Sequence, residues 1–311
     1  MTVKTTISEN DFAQILSNYD LGEYKSFEKF ANGAGQTTAL LITTTGKYVL
    51  RYYENRAEKH VLFEVNLFNY LREKQYPVPA IVKNLSDEFY GIYKNKPYII
   101  IEYIEGEHLH NPNEVFNKDQ VSKVVEVIAR LHILTENYNQ EWIEDREVYN
   151  PNYCLQKYQN QSRATDKEAR EEWLKKELAQ LEFPVSLTNC ICHADVNYGN
   201  FLFRNGEIVA VLDFDMSFYT YIVYDIASLI YWWAFPPKDG FKDGEASFIA
   251  TEYLNHHDLS ELEKNHIYDA LKLIILLGIS WSDESDFEEG KKAVDQINEI
   301  GRDGFYRKLF K

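Results

Sequence analysis

The chain has 311 residues, 45% of them hydrophobic and 26% charged, an ordinary globular composition with enough length for a sizeable core or two. A formal charge of −16 with no Lys/Arg-rich run excludes the usual electrostatic footprint of nucleic-acid binding, and reads mainly as a solubilising surface. Three cysteines, Cys154, Cys190 and Cys192, are too few and too irregular for a disulfide framework and point to a reducing compartment. The start, Met1 to Thr6, runs into polar residues rather than an apolar signal core. The longest apolar stretch, residues 273–279, is too short to span a bilayer and reads as a buried helix, so no membrane association and a cytoplasmic location are expected.

In chain order, Ser8-Glu9-Asn10-Asp11 can cap a short amphipathic helix with Phe12, Ile15 and Leu16 on one side. Antiparallel strands follow over 25–31, 38–43 and 47–53, separated by Asn32-Gly33-Ala34-Gly35-Gln36 and by Thr45-Gly46. Gly33 and Gly35 open the first loop enough for backbone amides to approach nucleotide phosphates. A Gly-x-Gly loop by itself is an ordinary hairpin; its place ahead of a strand carrying Val49-Leu50-Arg51 favours the phosphate reading. In the helix expected over 57–74, Val61, Glu64, Phe68 and Leu71 recur at helical spacing, which sets the Glu64 carboxylate in an apolar stripe. A charge on a core face needs a partner, and Arg51 is the candidate.

Beyond Pro77-Val78-Pro79, a strand pair is expected over 88–93 and 97–103 around Lys94-Asn95-Lys96, ending in Glu102-Tyr103-Ile104-Glu105-Gly106. From there the chain reads as mainly helical. Asp119 can start a helix with Val121, Val124, Val125, Ile128 and Leu131 as its stripe and His132 as a satisfied core or boundary histidine. Residues 156–182 are charged and hold a second helix. In Cys190-Ile191-Cys192-His193 the two thiols share one face of a strand, but no fourth metal ligand is apparent and buried ordinary thiols are the favoured reading.

The richest segment is His193-Ala194-Asp195-Val196-Asn197-Tyr198-Gly199-Asn200, followed by Asp213-Phe214-Asp215. Between them Asn205-Gly206, flanked by apolar runs, predicts a tight hairpin that brings Asn200 and Asp213 to its open end. An amide and a carboxylate there supply the hard oxygen donors that Mg²⁺ takes. Asp195, five residues before Asn200, is positioned to accept the proton of an attacking hydroxyl, with His193 beside it bracing the loop. A polar turn could carry one such cluster for turn chemistry alone; the ordered set His-x-Asp-x4-Asn, hairpin, Asp-Phe-Asp points to phosphoryl transfer. Asp215 shares Asp213's side only if the segment stays extended.

This pattern resembles the catalytic core of the aminoglycoside phosphotransferase and choline kinase superfamily, relatives of protein kinases, and most of all type II homoserine kinases. The likeness runs over roughly residues 7 to 235 and includes Tyr19-Asp20-Leu21-Gly22-Glu23, the Gly33 loop, Tyr48-Val49-Leu50-Arg51, Pro77-Val78-Pro79, Ile104-Glu105-Gly106 and Tyr224-Asp225-Ile226-Ala227. It implies an α+β, bilobal protein-kinase-like fold: residues 1–102 as a nucleotide-binding lobe with an antiparallel sheet and one helix, residues 103–311 as a mainly helical catalytic and substrate-binding lobe. Arg51 then stands where such folds carry a phosphate-contacting lysine, a departure that changes a compact ammonium for a planar fork. Glu102, Tyr103 and Ile104 would form the hinge whose main chain pairs with the base of ATP, or alternatively GTP. Asp225 would support the catalytic loop, a helix N-cap being its simpler reading.

The resemblance implies an ATP- and Mg²⁺-dependent kinase whose partner is a small, amine-bearing hydroxyl acceptor, homoserine-like or aminoglycoside-like. A nucleotide-binding regulator without turnover is the alternative. Protein phosphorylation is disfavoured because no Ala-Pro-Glu signature follows Asp213. Trp232, Trp233 and Trp281 could line the acceptor pocket or belong to the core. Residues 283–289 could meet ammonium groups, or form a solvated acidic helix start. No cation suited to a homoserine carboxylate stands out.

Overall fold

The computed structural model describes residues 5–30, 36–109, 116–138, 148–162, 164–236, 240–281 and 284–310, without the side chains of 284–286. The described chain divides into two compact units: residues 5–107 with 202–212, and residues 108–138, 148–201 and 213–310. The division therefore differs from a single cut after 102, because the first unit runs to 107 and takes a later hairpin with it. Gly33, Gly35 and Asp283 lie outside the described residues.

In the first unit, helix α1 (Glu9–Leu16) starts on a capping box in which Asp11 N–H reaches Ser8 Oγ and Ser8 N–H reaches Asp11 Oδ2 at 2.8 Å. Strands β1 (Tyr24–Lys29), β2 (Thr37–Thr43), β3 (Lys47–Tyr52), β4 (Gly91–Tyr93) and β5 (Lys96–Glu102) form an antiparallel sheet in the order β1-β2-β3-β5-β4. Alternation along the strands turns Ala39 and Leu41, Leu50 and Tyr52, and Tyr98 and Ile100 to one face, where they bury Phe12, Ile15 and Leu16 of α1. Helix α2 (Glu58–Glu73) buries Val61, Leu67, Phe68 and Leu71, with Glu64 among them.

Two local expectations need correction. The strand expected from 88 starts at Gly91, because Asn84 Oδ1 accepts the N–H groups of Ser86 (2.9 Å) and Glu88 (3.0 Å) and winds the chain into a side-chain-closed turn. The link to β5 is two residues, not three: Lys94 and Asn95 both adopt positive φ (47° and 62°), and Lys96 already pairs with Tyr93.

Strand β6 (Glu107–His108) joins a second sheet with the hairpin β8 (Phe201–Arg204) and β9 (Glu207–Val211), in the order β6-β8-β9. Its turn is Asn205-Gly206 at φ 55° and 80°, the conformation that dipeptide favours. Val211 N–H reaches Pro77 O at 2.7 Å, which ties the hairpin to the first unit.

The second unit is helical: α3 (Lys118–Thr135), α4 (Pro151–Gln161), α5 (Lys167–Leu178), α6 (Val223–Ala234), α7 (Asp243–Leu254), α8 (Glu261–Trp281) and α9 (Glu284–Leu309), the last broken at Gly301 (φ 66°). Among the described residues β7 (Asn189–Cys192) and β10 (Phe218–Tyr221) form an antiparallel pair within this unit. Asn117, rather than Asp119, caps α3, its side chain accepting two first-turn N–H groups. The charged segment 156–182 holds the end of α4 and all of α5. Helix α6 is buried without interruption from Val223 to Ile230, as an all-round apolar helix must be. Helix α8 contains residues 273–279, and no helix among the described residues is long and apolar enough to cross a membrane.

Candidate active site

The loop that follows β7 opens at His193, a fully buried residue whose N–H reaches Asp225 Oδ2 at 2.6 Å. The next N–H, of Ala194, reaches Asp225 Oδ1 at 2.8 Å. Ala194 has φ 67°, a left-handed conformation that costs a non-glycine residue roughly 1–2 kcal/mol and persists only where surroundings enforce it. The Asp225 carboxylate, accepting two consecutive amides, supplies that enforcement. It lies in the first turn of α6 and caps nothing there, since the helix follows Ile222. Asp225 is itself held by His132 Nε2 at 3.1 Å, and His132 Nδ1 meets the Tyr253 hydroxyl at 2.7 Å. Burial opposes charge on His132, but its hydrogen bond to Asp225, with Cys192 close by, outweighs this and pushes its pKa up to about 9.

Asp195 follows the strained residue. Its Oδ1 accepts the Asn197 amide at 2.8 Å and its Oδ2 accepts the Asn200 amide at 3.1 Å, while Asn200 Nδ2 also reaches the Asp195 carbonyl at 2.7 Å. Asn197 Oδ1 takes Gly199 N–H at 2.8 Å and closes the single 3₁₀ turn Tyr198–Asn200. His193 braces the loop: its Nδ1 accepts Asp195 N–H at 3.3 Å, and its ring lies 4.6 Å from that of Phe214. Burial raises the Asp195 pKa, and the negative charge of Asp213 raises it further, against the hydrogen bonds of Asn197 and Asn200. Asp213 lies two residues past β9 in the left-handed region (φ 62°, ψ 61°). The chain then turns through Phe214–Met216, so the extended alternation that would align Asp215 with Asp213 is absent.

In the first unit Arg51 on β3 and Glu64 on α2 meet, with NH1 3.8 Å from Oε1. Glu64 is 1% exposed, and its other oxygen accepts the Tyr53 hydroxyl at 2.8 Å. The Arg51 guanidinium lies 5.4 Å from the centre of the Tyr53 ring, within cation–π range. Glu102 closes β5 with its N–H on Ala80 O (2.9 Å) and its carboxylate accepting from Ala80 N (2.8 Å) and Arg72, whereas Tyr103 and Ile104 continue beyond the strand.

Sequence reasoning missed Asn197, Tyr53 and Tyr253. Asn197 carries a signal, since Asx at i and i+2 beside Gly marks side-chain-closed turns; the tyrosines carry none. Cys190 and Cys192 are buried thiols with sulfurs 3.9 Å apart, and burial pushes both pKa values up. His132 joins them within 4.8 Å, but its two nitrogens are engaged by Tyr253 and Asp225. Trp233 is 3% exposed and donates its indole N–H to Val196 O at 2.8 Å, so it lines no open pocket; Trp232 is half-buried, and Trp281 packs edge-to-face against Tyr149.

The model of the phosphotransferase enzyme family (APH) matches residues 26–259, which take in Arg51, Glu64, the catalytic loop and Asp225. The chain belongs to this family. It is a small-molecule kinase, a phosphotransferase with an alcohol group as acceptor, and it is homoserine kinase-like. A homoserine kinase of Rhodopseudomonas palustris (strain HaA2) is 27% identical over 270 residues, covering 85% of this chain and 80% of that protein. The protein-kinase-like fold is shared with amicoumacin kinase hAmiN, solved with AMP-PNP, Ca²⁺ and Ami, at a TM-score of 0.72 and 19% identity over 95% of this chain and 93% of that one. A microcompartment-associated aminopropanol kinase follows at a TM-score of 0.69 and 16% identity, covering 96% and 95%.

Proposed function

We propose that this kinase transfers the γ-phosphoryl group of ATP, with Mg²⁺, to the hydroxyl of a small amino alcohol of the homoserine kind. The observation that carries the reading is Asp195, a half-buried carboxylate held by two amides and made more basic by desolvation and by Asp213. Such a group accepts the acceptor's hydroxyl proton as the oxygen attacks phosphorus, and its two amide donors fix the direction of the remaining lone pairs. Asn200 commits its NH₂ to Asp195, which leaves its Oδ1 as the amide's acceptor end. Together with the Asp213 carboxylate it offers the hard donors suited to Mg²⁺. When bound, the ion neutralises charge on the phosphates. Asp225 holds the loop through two amides, and His193 keeps the Asp195 backbone in register.

In the first unit, Arg51 contacts the nucleotide phosphates with Glu64 fixing its side chain; Gly33 and Gly35, the candidate phosphate loop, lie outside the described residues. The base is read by main-chain groups of Tyr103 and Ile104. Glu102 stands at the start of this hinge, with its N–H given to Ala80 O. ATP is favoured over GTP by the AMP-PNP bound to amicoumacin kinase, and the homoserine class by the 27% identity to a homoserine kinase.

A coupled assay of ATP consumption with L-homoserine, ethanolamine and kanamycin tests the proposal. L-Homoserine is expected to give the highest kcat/KM, by about tenfold or more, a margin that one well-paired polar contact of about 1.4 kcal/mol supplies. Nucleotide binding without turnover on any of the three would favour the regulator, and a preference for kanamycin would move the acceptor class.

A further inference from the structure

The geometry points to Trp233 as a positioning residue for Asp195, acting from the far end of α6; this rests on the reading of Asp195 as the base. Asp225 and Trp233 are eight residues apart on one helix, about 12 Å along its axis at 1.5 Å per residue. Asp225 grips the loop before Asp195 through the N–H groups of His193 and Ala194. Trp233 grips it after Asp195, its indole N–H on the Val196 carbonyl at 2.8 Å. A buried indole N–H needs an acceptor, and this one has taken the loop rather than a helix carbonyl.

The route from indole to carboxylate is short. The Val196 carbonyl belongs to the peptide that carries Asn197, and Asn197 Nδ2 donates to Asp195 Oδ1 at 2.8 Å. Fixing that carbonyl fixes the peptide plane and hence the direction from which Asn197 holds the base. The Val196 side chain is fully buried, and Phe201, also buried, lies edge-on to the indole at 6.3 Å, so neither end of the hydrogen bond has room to drift. The loop is thus clamped at both sides of Asp195 by one rigid helix, a carboxylate restraining amides on one side and an N–H restraining a carbonyl on the other. The Trp233 indole N–H goes to the Val196 carbonyl and not to Asn200 or Asp213, so nucleotide affinity is not part of its work.

The test compares Trp233→Phe, which deletes the N–H and keeps most of the ring, with Ile230→Val, which removes buried volume from the same helix. Trp233→Phe should lower kcat on L-homoserine and MgATP about tenfold or more, as expected when a reacting group is displaced by a fraction of an ångström, with the nucleotide KM within about twofold. Ile230→Val should lower the melting temperature by a few degrees with kcat unchanged. Amide hydrogen exchange, which needs no acceptor, should show faster exchange over residues 194–200 in Trp233→Phe and unchanged exchange over 224–230. Unaltered loop exchange with wild-type kcat overturns the inference, as does a kcat loss matched by Ile230→Val at equal destabilisation. Asp195→Asn run in parallel separates the two claims. If it retains turnover, the base assignment fails, while the exchange measurement still decides the clamp.

Discussion

The two polar clusters, one around Asp225 and one around Arg51, are held in different ways. Around the catalytic loop, Asp225 takes two amides at 2.6 and 2.8 Å and His132 at 3.1 Å, in a site with no exposure. In the first unit, Arg51 stands 3.8 Å from Glu64, beyond hydrogen-bond length, and retains 12% exposure. The loop is fixed by short directional bonds, whereas the Arg51–Glu64 pair is a longer-range attraction, with the Arg51 guanidinium also over the face of Tyr53. The loop that carries Asp195 is therefore restrained by bonds that tolerate little change in distance or angle, and the Arg51–Glu64 pair by an attraction that tolerates more.

Asp225→Asn attacks the tighter of the two. It leaves His132 without its anion and turns an NH₂ toward groups that are all donors, so stability should fall by about 3–5 kcal/mol, as for breaking a buried pair. Urea denaturation measures this, and a loss below about 1 kcal/mol would place the two groups on an equal footing.

Arg51→Ala and Glu64→Ala attack the looser. Each should raise the nucleotide KM and weaken the compensation of the other charge, and the double variant should be less harmful than the sum by about 1–3 kcal/mol. A double-mutant cycle on nucleotide affinity and melting temperature reads the coupling. Strict additivity in both would leave Arg51 as a phosphate contact without a supporting carboxylate.

The smallest effect expected is on pH dependence, where the units should differ in sign. His132, raised from 6.5 to about 9, contributes stability that is complete below 6.5 and is lost as pH rises through 9. Glu54 in the first unit is buried, which opposes its charge, but Lys96, Thr37 and Thr5 outweigh this and lower it from 4.5 to about 2. Its contribution is complete above 4.5 and is lost as pH falls through 2. Melting temperatures should show both limbs, with Glu54→Gln flattening only the acid one. An acid limb unchanged in that variant would remove Glu54 from the account.

Features that rest on side-chain periodicity were legible in the sequence. Glu64 in an apolar stripe demanded a cation, and Asn205-Gly206 demanded a hairpin. Those that rest on backbone groups were not. The acceptor for Trp233 is a carbonyl, a group every residue carries, so nothing in the sequence separates a core tryptophan from a loop clamp. Ala194 gives no hint of its left-handed backbone, which Gly or Asn would have advertised. The missing start of the strand at 88 has the same origin, since one Asn84 side chain replaced the ladder hydrogen bonds that alternation anticipated.

The most direct test of the account is Asp195→Asn, assayed for turnover with L-homoserine and MgATP and for nucleotide affinity in the same preparation. The amide keeps the size of the carboxylate but accepts no proton, so turnover should fall on the order of a hundredfold or more while the nucleotide dissociation constant stays within about twofold. Turnover near the wild-type level would contradict the assignment of the base.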